Sequence, residues 1–294
     1  MFWNEKISNH SEKRVCRINC RINNCYPLLM QEEGFCKRII LYEKGGNTMV
    51  IWPKNKKIAV VLTFDFDGET YWIGKNERST KVFANLSRGQ YGPHEGIYRV
   101  LNMLDELEVK GTFFVPGYIA ETYQGQVKMI HEKGHEIGYH GYMHEQKRGI
   151  SREEELARME KCEAILAGIT GKKPVGHRGP GGIIHPFTME MIAERGYLYS
   201  SNMKDTNSPY IHEVAGKKIV ELPTDEYYDD ATYYWFSLTQ PVHRDIVPPE
   251  TVNEYWGLDF EQLLDEPGSI MVLHMHPQLI GRAGRIRALG EFVG

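Results

Sequence analysis

The pattern of apolar and polar positions is sharpest over residues 58–69, which read I-A-V-V-L-T-F-D-F-D-G-E. A nearly continuous apolar run of this length, rich in Val, predicts a strand buried on both faces, as in a parallel sheet. Asp65, Asp67 and Glu69 gather at its carboxyl end, which is the end where α/β sheets and barrels bind ligands. Three crowded carboxylates indicate either a cation site or an ordinary polar turn, and this stretch alone favours neither.

The rest of the chain alternates between helical and strand-like patterns. Apolar residues at helical spacing predict a helix over residues 94–109, a second helix is predicted over 118–133, and a capping-box sequence predicts a third from residue 151. Residues 70–92 are predicted to be a long polar loop. Short apolar runs predict further strands at residues 112–115, 135–140, 174–177, 197–202, 219–222 and 269–276. This alternation predicts one barrel-like α/β domain with a parallel sheet covered by helices.

Residues 1–48 have no regular helix or strand period. They contain four of the five cysteines, but the spacing is not C-x-x-C and no histidine pair follows at zinc-finger distance. We predict that residues 1–48 are an extension, disordered or non-native, and that residues 49–294 form the catalytic domain. We also hypothesise that translation begins at Met49, which the mass of the endogenous protein would test.

Composition narrows the classes of function. The net charge of −4 gives no support for nucleic acid or an anionic membrane as a partner. No run approaches the roughly 18 apolar residues that indicate a membrane span. The longest apolar stretch of the extension, residues 26–30, is too short for the core of a signal peptide, so we expect a cytoplasmic enzyme.

A histidine pair supplies partners for the carboxylates. His140 and His144 follow the strand predicted at residues 135–140, and an i, i+4 pair on a helical turn would place both imidazoles on one side. Such a pair alone is more often chance than a metal site. The carboxyl ends of parallel strands share one rim, however, and two histidines with one carboxylate form a catalytic metal set.

Four motifs in order resemble the polysaccharide deacetylase superfamily, the NodB-like carbohydrate esterases: T-F-D-F-D-G-E, H-G-Y-M-H-E, H-R-G-P-G-G and L-H-M-H-P. The resemblance covers residues 49–294 and implies a distorted (β/α) barrel with seven parallel strands. It also implies a divalent metal, most often zinc, with Asp67, His140 and His144 as ligands. Asp65 would be the general base, Arg178 would hold it in place, and a histidine of the last strand would be the general acid.

Elementary chemistry agrees with these implied roles. Asp65 precedes Asp67 by two residues on the same strand face, near enough to take a proton from a metal-bound water. The leaving amine needs a proton, and histidine suits that task. His274 and His276 point to the same side of a regular strand. We choose His276 as the acid because it fits the family's M-H-P phrase, and His274 is the alternative.

Two departures from the commonest family pattern bear on the substrate. Phe66 separates acids that are usually adjacent, and Gly141 stands where Ser or Thr is usual. These forms resemble a subgroup of peptidoglycan-deacetylase-like proteins, cyclic imide hydrolases and metal-free allantoinase-like members. The subgroup implies a homo-oligomer such as a tetramer. The presence of both histidines and Asp67 argues against the metal-free branch.

We therefore predict a metal-dependent hydrolase of non-peptide carbon–nitrogen bonds that removes N-acetyl groups from a sugar polymer such as peptidoglycan or chitin. One alternative is a hydrolase that opens small cyclic imides or ureides, and a second is a catalytically silent carbohydrate-binding member. Asp230 and Trp235 are candidate substrate contacts in an acidic, aromatic segment, for which a solvated loop is the equal alternative.

Overall fold

A computed structural model of the chain describes residues 25–26, 40–44, 47–53, 56–74, 80–145, 149–236 and 246–294. The strands in these ranges are β1 (Cys25–Tyr26), β2 (Ile40–Lys44), β3 (Asn47–Ile51), β4 (Ile58–Asp65), β5 (Thr112–Val115), β6 (Glu136–Tyr139), β7 (Gly176–His177), β8 (Tyr199–Ser200), β9 (Tyr210–Val214), β10 (Lys217–Glu221) and β11 (Ser269–Met275). The α-helices are α1 (Thr70–Ile73), α2 (Phe83–Tyr91), α3 (Ile97–Glu106), α4 (Gly117–Thr122), α5 (Gln124–Glu132), α6 (Arg152–Thr170), α7 (Pro186–Glu194), α8 (Asp230–Tyr234), α9 (Pro249–Leu263), α10 (Pro277–Ile280) and α11 (Ala283–Val293). A π-helix, Gly92–Gly96, joins α2 to α3, and 3-10 turns span Pro180–Gly182 and Glu226–Tyr228.

Eight strands form one curled sheet, a half-barrel, in the order β11-β4-β5-β6-β7-β8-β10-β9. The first seven strands of this order run parallel, and β9 pairs antiparallel with β10. The predicted α/β fold with seven parallel strands is therefore confirmed, and β9 is an addition. A two-residue turn joins β9 to β10, with positive φ at Ala215 and Gly216, as tight hairpins require.

Alternate residues of β4 face two separate apolar layers. Leu62 and Phe64 pack into the larger core, which includes residues of the covering helices, whereas Val61 belongs to a smaller cluster with Phe114 and Trp52. Residues 61–65 are all buried, as predicted for a strand covered on both faces. Because alternate residues of a strand share a face, Asp65 lies on the same face as Val61, four residues closer to the carboxyl end. The smaller cluster thus forms an apolar floor beneath the rim of the half-barrel.

Two predicted helices are interrupted and the predicted polar loop is partly helical. The segment predicted as helix 94–109 begins inside the π-helix, and the helix predicted at 118–133 is split at Tyr123, whose backbone leaves helical geometry. Residues 70–92 contain α1 and α2. α1 has four residues and α2 has nine, so neither is long enough to show a clear helical period in the sequence.

The described part of the predicted extension contains strands. β2 pairs antiparallel with both β1 and β3. Leu41 of β2 is fully buried in the smaller apolar cluster. Residues 1–24 and 27–39 lie outside the described residues, so the extension, its boundary and the start at Met49 remain predictions. Within the described ranges, none of the helices has the length and apolar character that crossing a bilayer would require.

Candidate active site

The predicted site residues surround one opening at the carboxyl rim of the half-barrel. Asp65 ends β4, and Asp67 lies two residues beyond it. His140 directly follows β6, and Arg178 directly follows β7. His276 follows the last residue of β11. Each of these residues is buried, with at most 5% of its surface exposed.

Asp67 and the two histidines of the H-G-Y-M-H motif form a compact donor set. Asp67 Oδ1 lies 3.3 Å from His140 Nε2, and Asp67 Oδ2 lies 3.4 Å from His144 Nε2. The three residues each offer one ligand atom within 4.8 Å of the others. His140 Nδ1 donates to the carbonyl of Arg178 at 2.9 Å, which leaves Nε2 aimed into the site.

The donor set fits a divalent cation. Both carboxylate oxygens of Asp67 and the Nε2 of His140 are buried without a hydrogen-bond partner among the described residues. Buried polar atoms are normally paired, and unpaired ones need an explanation. One carboxylate and two imidazoles are a common three-residue set for catalytic zinc. The residues present therefore suit a metal at this position.

The histidine pair is not on a helical turn, contrary to the expectation from its i, i+4 spacing. The segment after β6 is irregular, with φ of +73° at Gly141 and +52° at His144. Backbone hydrogen bonds from Gly117 and Tyr118 to the carbonyls of Gly141 and Tyr142 hold this segment in place. With these two residues in the left-handed region, the ring centroids of His140 and His144 lie 5.2 Å apart.

Asp65 is held through both carboxylate oxygens. Arg178 Nη1 donates to Asp65 Oδ1 at 3.0 Å, and His274 Nε2 lies 2.7 Å from Asp65 Oδ2. Arg178 is fully buried and also donates to Thr63 Oγ1 and to the hydroxyl and carbonyl oxygens of Ser201. Its guanidinium carbon lies 4.3 Å from the ring centroid of Phe114. The guanidinium orientation is thus fixed independently of Asp65.

His276 is paired with a buried acid. Its Nδ1 lies 2.6 Å from Asp230 Oδ1, and its backbone N–H donates to Asp230 Oδ2 at 3.0 Å. The Nε2 of His276 lies 3.7 Å from Asp67 Oδ2. A parallel bridge between Asp229 and His274 brings the segment that carries both aspartates against β11.

The charges of the site shift the pKa values of its members. Burial alone would raise the pKa of Asp67, but the charges of His144 and His140 outweigh it and lower the pKa to about 2. Burial is likewise outweighed at Asp65, whose pKa lies well below its usual value because of cationic neighbours, His140 first. Burial would lower the pKa of His276, but Asp230 raises it to about 10. Both carboxylates are therefore ionised and His276 is protonated at neutral pH.

A cavity of about 540 Å³ opens onto these groups. Asp65, Arg178, His144, His274 and His276 line one side of it. Its other walls include Tyr71, Glu145, the residues 180–183, Lys204 and Glu226. The cavity thus extends well beyond the charged centre and offers both aromatic and polar surface to a ligand.

The two predicted substrate contacts lie beside this cavity, and neither is among its lining residues. Asp230 is fully buried and bound to His276. Trp235 is 8% exposed and packs on Tyr71 and Trp72, with centroid distances of 3.9 and 4.7 Å. Tyr71 thus stands between Trp235 and the cavity. The substrate contact of Asp230 and Trp235 remains a prediction.

Comparison with known proteins agrees with this geometry. A sequence model of the family described as polysaccharide deacetylase matches residues 53–200, which include Asp65, Asp67, His140, His144 and Arg178. A solved structure from Mycobacterium smegmatis that carries the same family description is 36% identical, with a TM-score of 0.80 over 82% of this chain and 84% of that one. The chain belongs to the polysaccharide deacetylase family.

Two other similar proteins have lower sequence identity to this chain. A peptidoglycan deacetylase of Helicobacter pylori is 27% identical over 253 residues, which cover 77% of this chain and 86% of the relative. The structure of the allantoinase PuuE is 21% identical with a TM-score of 0.72, covering 82% of this chain and 85% of that one. The second likeness concerns the fold alone.

Proposed function

We propose that the protein is a metal-dependent hydrolase that removes N-acetyl groups from a sugar polymer such as peptidoglycan or chitin. The observation that carries this proposal is the buried Asp67 carboxylate, which has no hydrogen-bond partner among the described residues and faces His140 and His144. Membership in the polysaccharide deacetylase family supports hydrolysis of an amide, and the peptidoglycan deacetylase of H. pylori supports this class of substrate.

Asp67, His140 and His144 would hold the metal, with zinc as our proposed ion. A bound divalent ion lowers the pKa of its water from about 15.7 towards about 7 and polarises the carbonyl of the substrate. The hydrogen bond from His140 Nδ1 to the carbonyl of Arg178 fixes the ring so that Nε2 is the ligand atom.

Asp65 would act as the general base. Its carboxylate is ionised because cationic neighbours outweigh the effect of burial on its pKa. Arg178 fixes one oxygen at 3.0 Å, so the carboxylate cannot rotate freely. In this role Asp65 removes a proton from the attacking water, whose oxygen becomes bonded to the acyl carbon.

His276 would act as the general acid. Its pKa of about 10 keeps the ring protonated at neutral pH, because Asp230 offsets the effect of burial. With Nδ1 engaged by Asp230, the Nε2 proton is the one that faces the site. His276 donates this proton to the amine nitrogen as the carbon–nitrogen bond breaks, giving acetate and a free amine.

The cavity supports a substrate larger than a small imide. Its volume of about 540 Å³ falls within the roughly 300–1,000 Å³ of sites that enclose ligand-sized molecules. Tyr71 offers a ring face for stacking, and Glu145 and Lys204 offer hydrogen bonds to hydroxyl groups. A homo-oligomer, implied by the resemblance, belongs to the same proposal, and sedimentation of the purified chain tests it.

The test is turnover by the full chain loaded with zinc, measured as acetate release from N-acetylglucosamine oligomers and solubilised peptidoglycan and as ring opening of succinimide to succinamate. We expect release from an N-acetylated sugar substrate and a loss of about 10²–10⁴-fold in the His276→Ala variant. Turnover of succinimide alone would replace the proposal with the cyclic imide alternative. Turnover of none of the three would contradict it in favour of a silent binding member.

A further inference from the structure

The two histidines of β11 face different partners. His276 Nδ1 contacts Asp230, and its Nε2 is oriented towards Asp67. His274 lies two residues earlier, and its Nε2 lies 2.7 Å from Asp65 Oδ2. The two rings stack with centroids 5.0 Å apart. Asp229 lies 3.5 Å from Nδ1 of His274 and 3.7 Å from Nδ1 of His276, but the nearest partner of each ring differs, so we assign the two side chains separate tasks.

The contact between His274 and Asp65 is a hydrogen bond with a defined direction. The guanidinium of Arg178 donates to Asp65 Oδ1, which favours the carboxylate form, and a carboxylate only accepts, so the Nε2 of His274 is the donor at 2.7 Å. The other ring nitrogen, Nδ1, lies 3.5 Å from Asp229 Oδ2. Only 13% of the side chain is exposed, towards the cavity. The ring is therefore confined by an acid on either side.

The contact with His274 is needed to fix the plane of the Asp65 carboxylate. Besides the hydrogen bond from Arg178 to Oδ1, the Nε2 of His140 lies 3.2 Å from Oδ2 without a hydrogen bond, so one hydrogen bond alone would leave the carboxylate free to turn. A second donor on Oδ2 removes this freedom. Donors that come from two different strand ends, one after β7 and one in β11, fix the carboxylate relative to the whole rim.

Two other roles for His274 fit the contacts less well. As a metal ligand, it would belong to a set with Asp65 and His276, whose ligand atoms lie within 4.8 Å of one another. The guanidinium of Arg178, 3.0 Å from Asp65, would repel a cation there. As the general acid, it would have to release the Nε2 proton that it shares with Asp65, whereas the Nε2 of His276 is directed towards Asp67.

We propose that His274 is a positioning residue that donates through Nε2 to Asp65 and holds this carboxylate in the orientation required for proton removal. Asp229, on the Nδ1 side, keeps the imidazole ring in place. This inference rests on the proposed function, because it gives Asp65 the role of base. It adds a residue that acts on the reaction through Asp65.

The test compares His274→Leu with His274→Gln, whose side-chain amide can replace the Nε2 donor. In zinc-loaded full chain, we expect His274→Leu to lower kcat about 10- to 100-fold, the effect of one charge-assisted hydrogen bond, with little change in KM. Zinc content should equal that of the wild type, and His274→Gln should recover most of kcat. His131→Leu, on α5 and away from the site, is the control for the substitution type.

A second readout needs no activity. In protein labelled with ¹⁵N-histidine, the Nε2 proton shared with Asp65 should give a low-field resonance that is lost in His274→Leu and kept in His131→Leu. Wild-type kcat in His274→Leu, loss of zinc from it, or absence of this resonance in the wild type would overturn the proposal. If no substrate is turned over but the resonance behaves as expected, the proposed function fails while the contact stands.

Discussion

Asp65 shows how a buried carboxylate is kept ionised and oriented at the same time. Burial raises the pKa of such a group, yet cationic neighbours keep the pKa of Asp65 well below its usual range. Arg178 contributes one of these charges and is itself fixed by Thr63 and Ser201. In the proposed role as base, Asp65 would act on a water whose pKa a divalent ion held by Asp67, His140 and His144 would lower.

The variant Asp65→Asn separates this role from that of Asp67. We expect deacetylation to fall by about 10²–10⁴-fold, because the amide cannot take a proton, while the zinc content remains that of the wild type. Activity and zinc content are measured on the same preparation, and the thermal midpoint shows that the variant is folded. Joint loss of zinc and activity in a folded protein would mean that Asp65 is a ligand.

The pair formed by Asp230 and His276 predicts a pH dependence. Asp230 raises the pKa of His276 to about 10 against the effect of burial, so the proposed acid stays protonated up to about that pH. In Asp230→Asn the charge is lost but the size is kept, so the pKa of His276 should fall. The alkaline limb of kcat against pH should therefore move to lower pH.

Asp259→Asn is the matched control, because Asp259 accepts a hydrogen bond from Tyr228 and is not among the residues that line the cavity. Its alkaline limb should match that of the wild type. An unchanged limb in Asp230→Asn would show that the pKa of His276 does not set the alkaline decline of kcat.

At the residue scale, the sequence identifies groups that lie at strand ends but not contacts that depend on the path of a loop. Asp65 and Asp67 follow an apolar run, and His140 follows another, so their common rim could be predicted. The partner of His276 could not, because it depends on a bridge between Asp229 and His274, 45 residues apart in sequence. Nothing in the local pattern around Asp230 specifies that contact.

Among the elements, the π-helix and α10 hold the last motif against the body of the protein. A Cβ atom at Gly96 would lie 2.0 Å from the carbonyl oxygen of Pro277, which directly follows His276. Only glycine permits this approach of two backbones. The G-P-H-E-G segment therefore fixes the position of the carboxyl end of β11, which His276, the proposed acid, directly follows.

Gly96→Ala should lower the melting temperature by several degrees. Overpacking costs about 1–3 kcal/mol, and each 1 kcal/mol shifts Tm by about 2–4 °C in a protein of this size. Gly168→Ala is the control, because a Cβ atom there contacts nothing within 4 Å on the exposed face of α6. Gly168→Ala should have the Tm of the wild type or a higher one, because replacing Gly by Ala in a helix can add up to about 1 kcal/mol of stability. Equal Tm values for wild type and Gly96→Ala would contradict the close packing.

The elements predicted well are those with enough residues to show a period. β4 and β11 have eight and seven residues with apolar runs, and both lie close to their predicted bounds. β7 and β8 have two residues each, so only their neighbourhood could be predicted. β9, Y-I-H-E-V, has no fully buried residue, and its apolar and polar residues do not alternate as in a half-buried strand. Short and polar elements are fixed by their partners rather than by their own sequence.

At the scale of the whole molecule, the curl of the sheet turns separate motifs into one site. The motifs end β4, β6, β7 and β11, and seven parallel strands direct these ends to the same rim. Below the rim, apolar residues such as Val61 and Phe114 form the floor. Charged groups at the rim are thus shielded from water on one side and open to the cavity on the other.

The proposed metal centre is the claim on which the other roles depend, and its most direct test is the metal content of purified full chain. After zinc loading and dialysis, we expect about one zinc ion per chain in the wild type. His140→Ala and Asp67→Asn should bind zinc at least about tenfold more weakly. His131→Ala, outside the site, should match the wild type. A wild-type chain without bound divalent metal, or full occupancy in His140→Ala, would contradict the account.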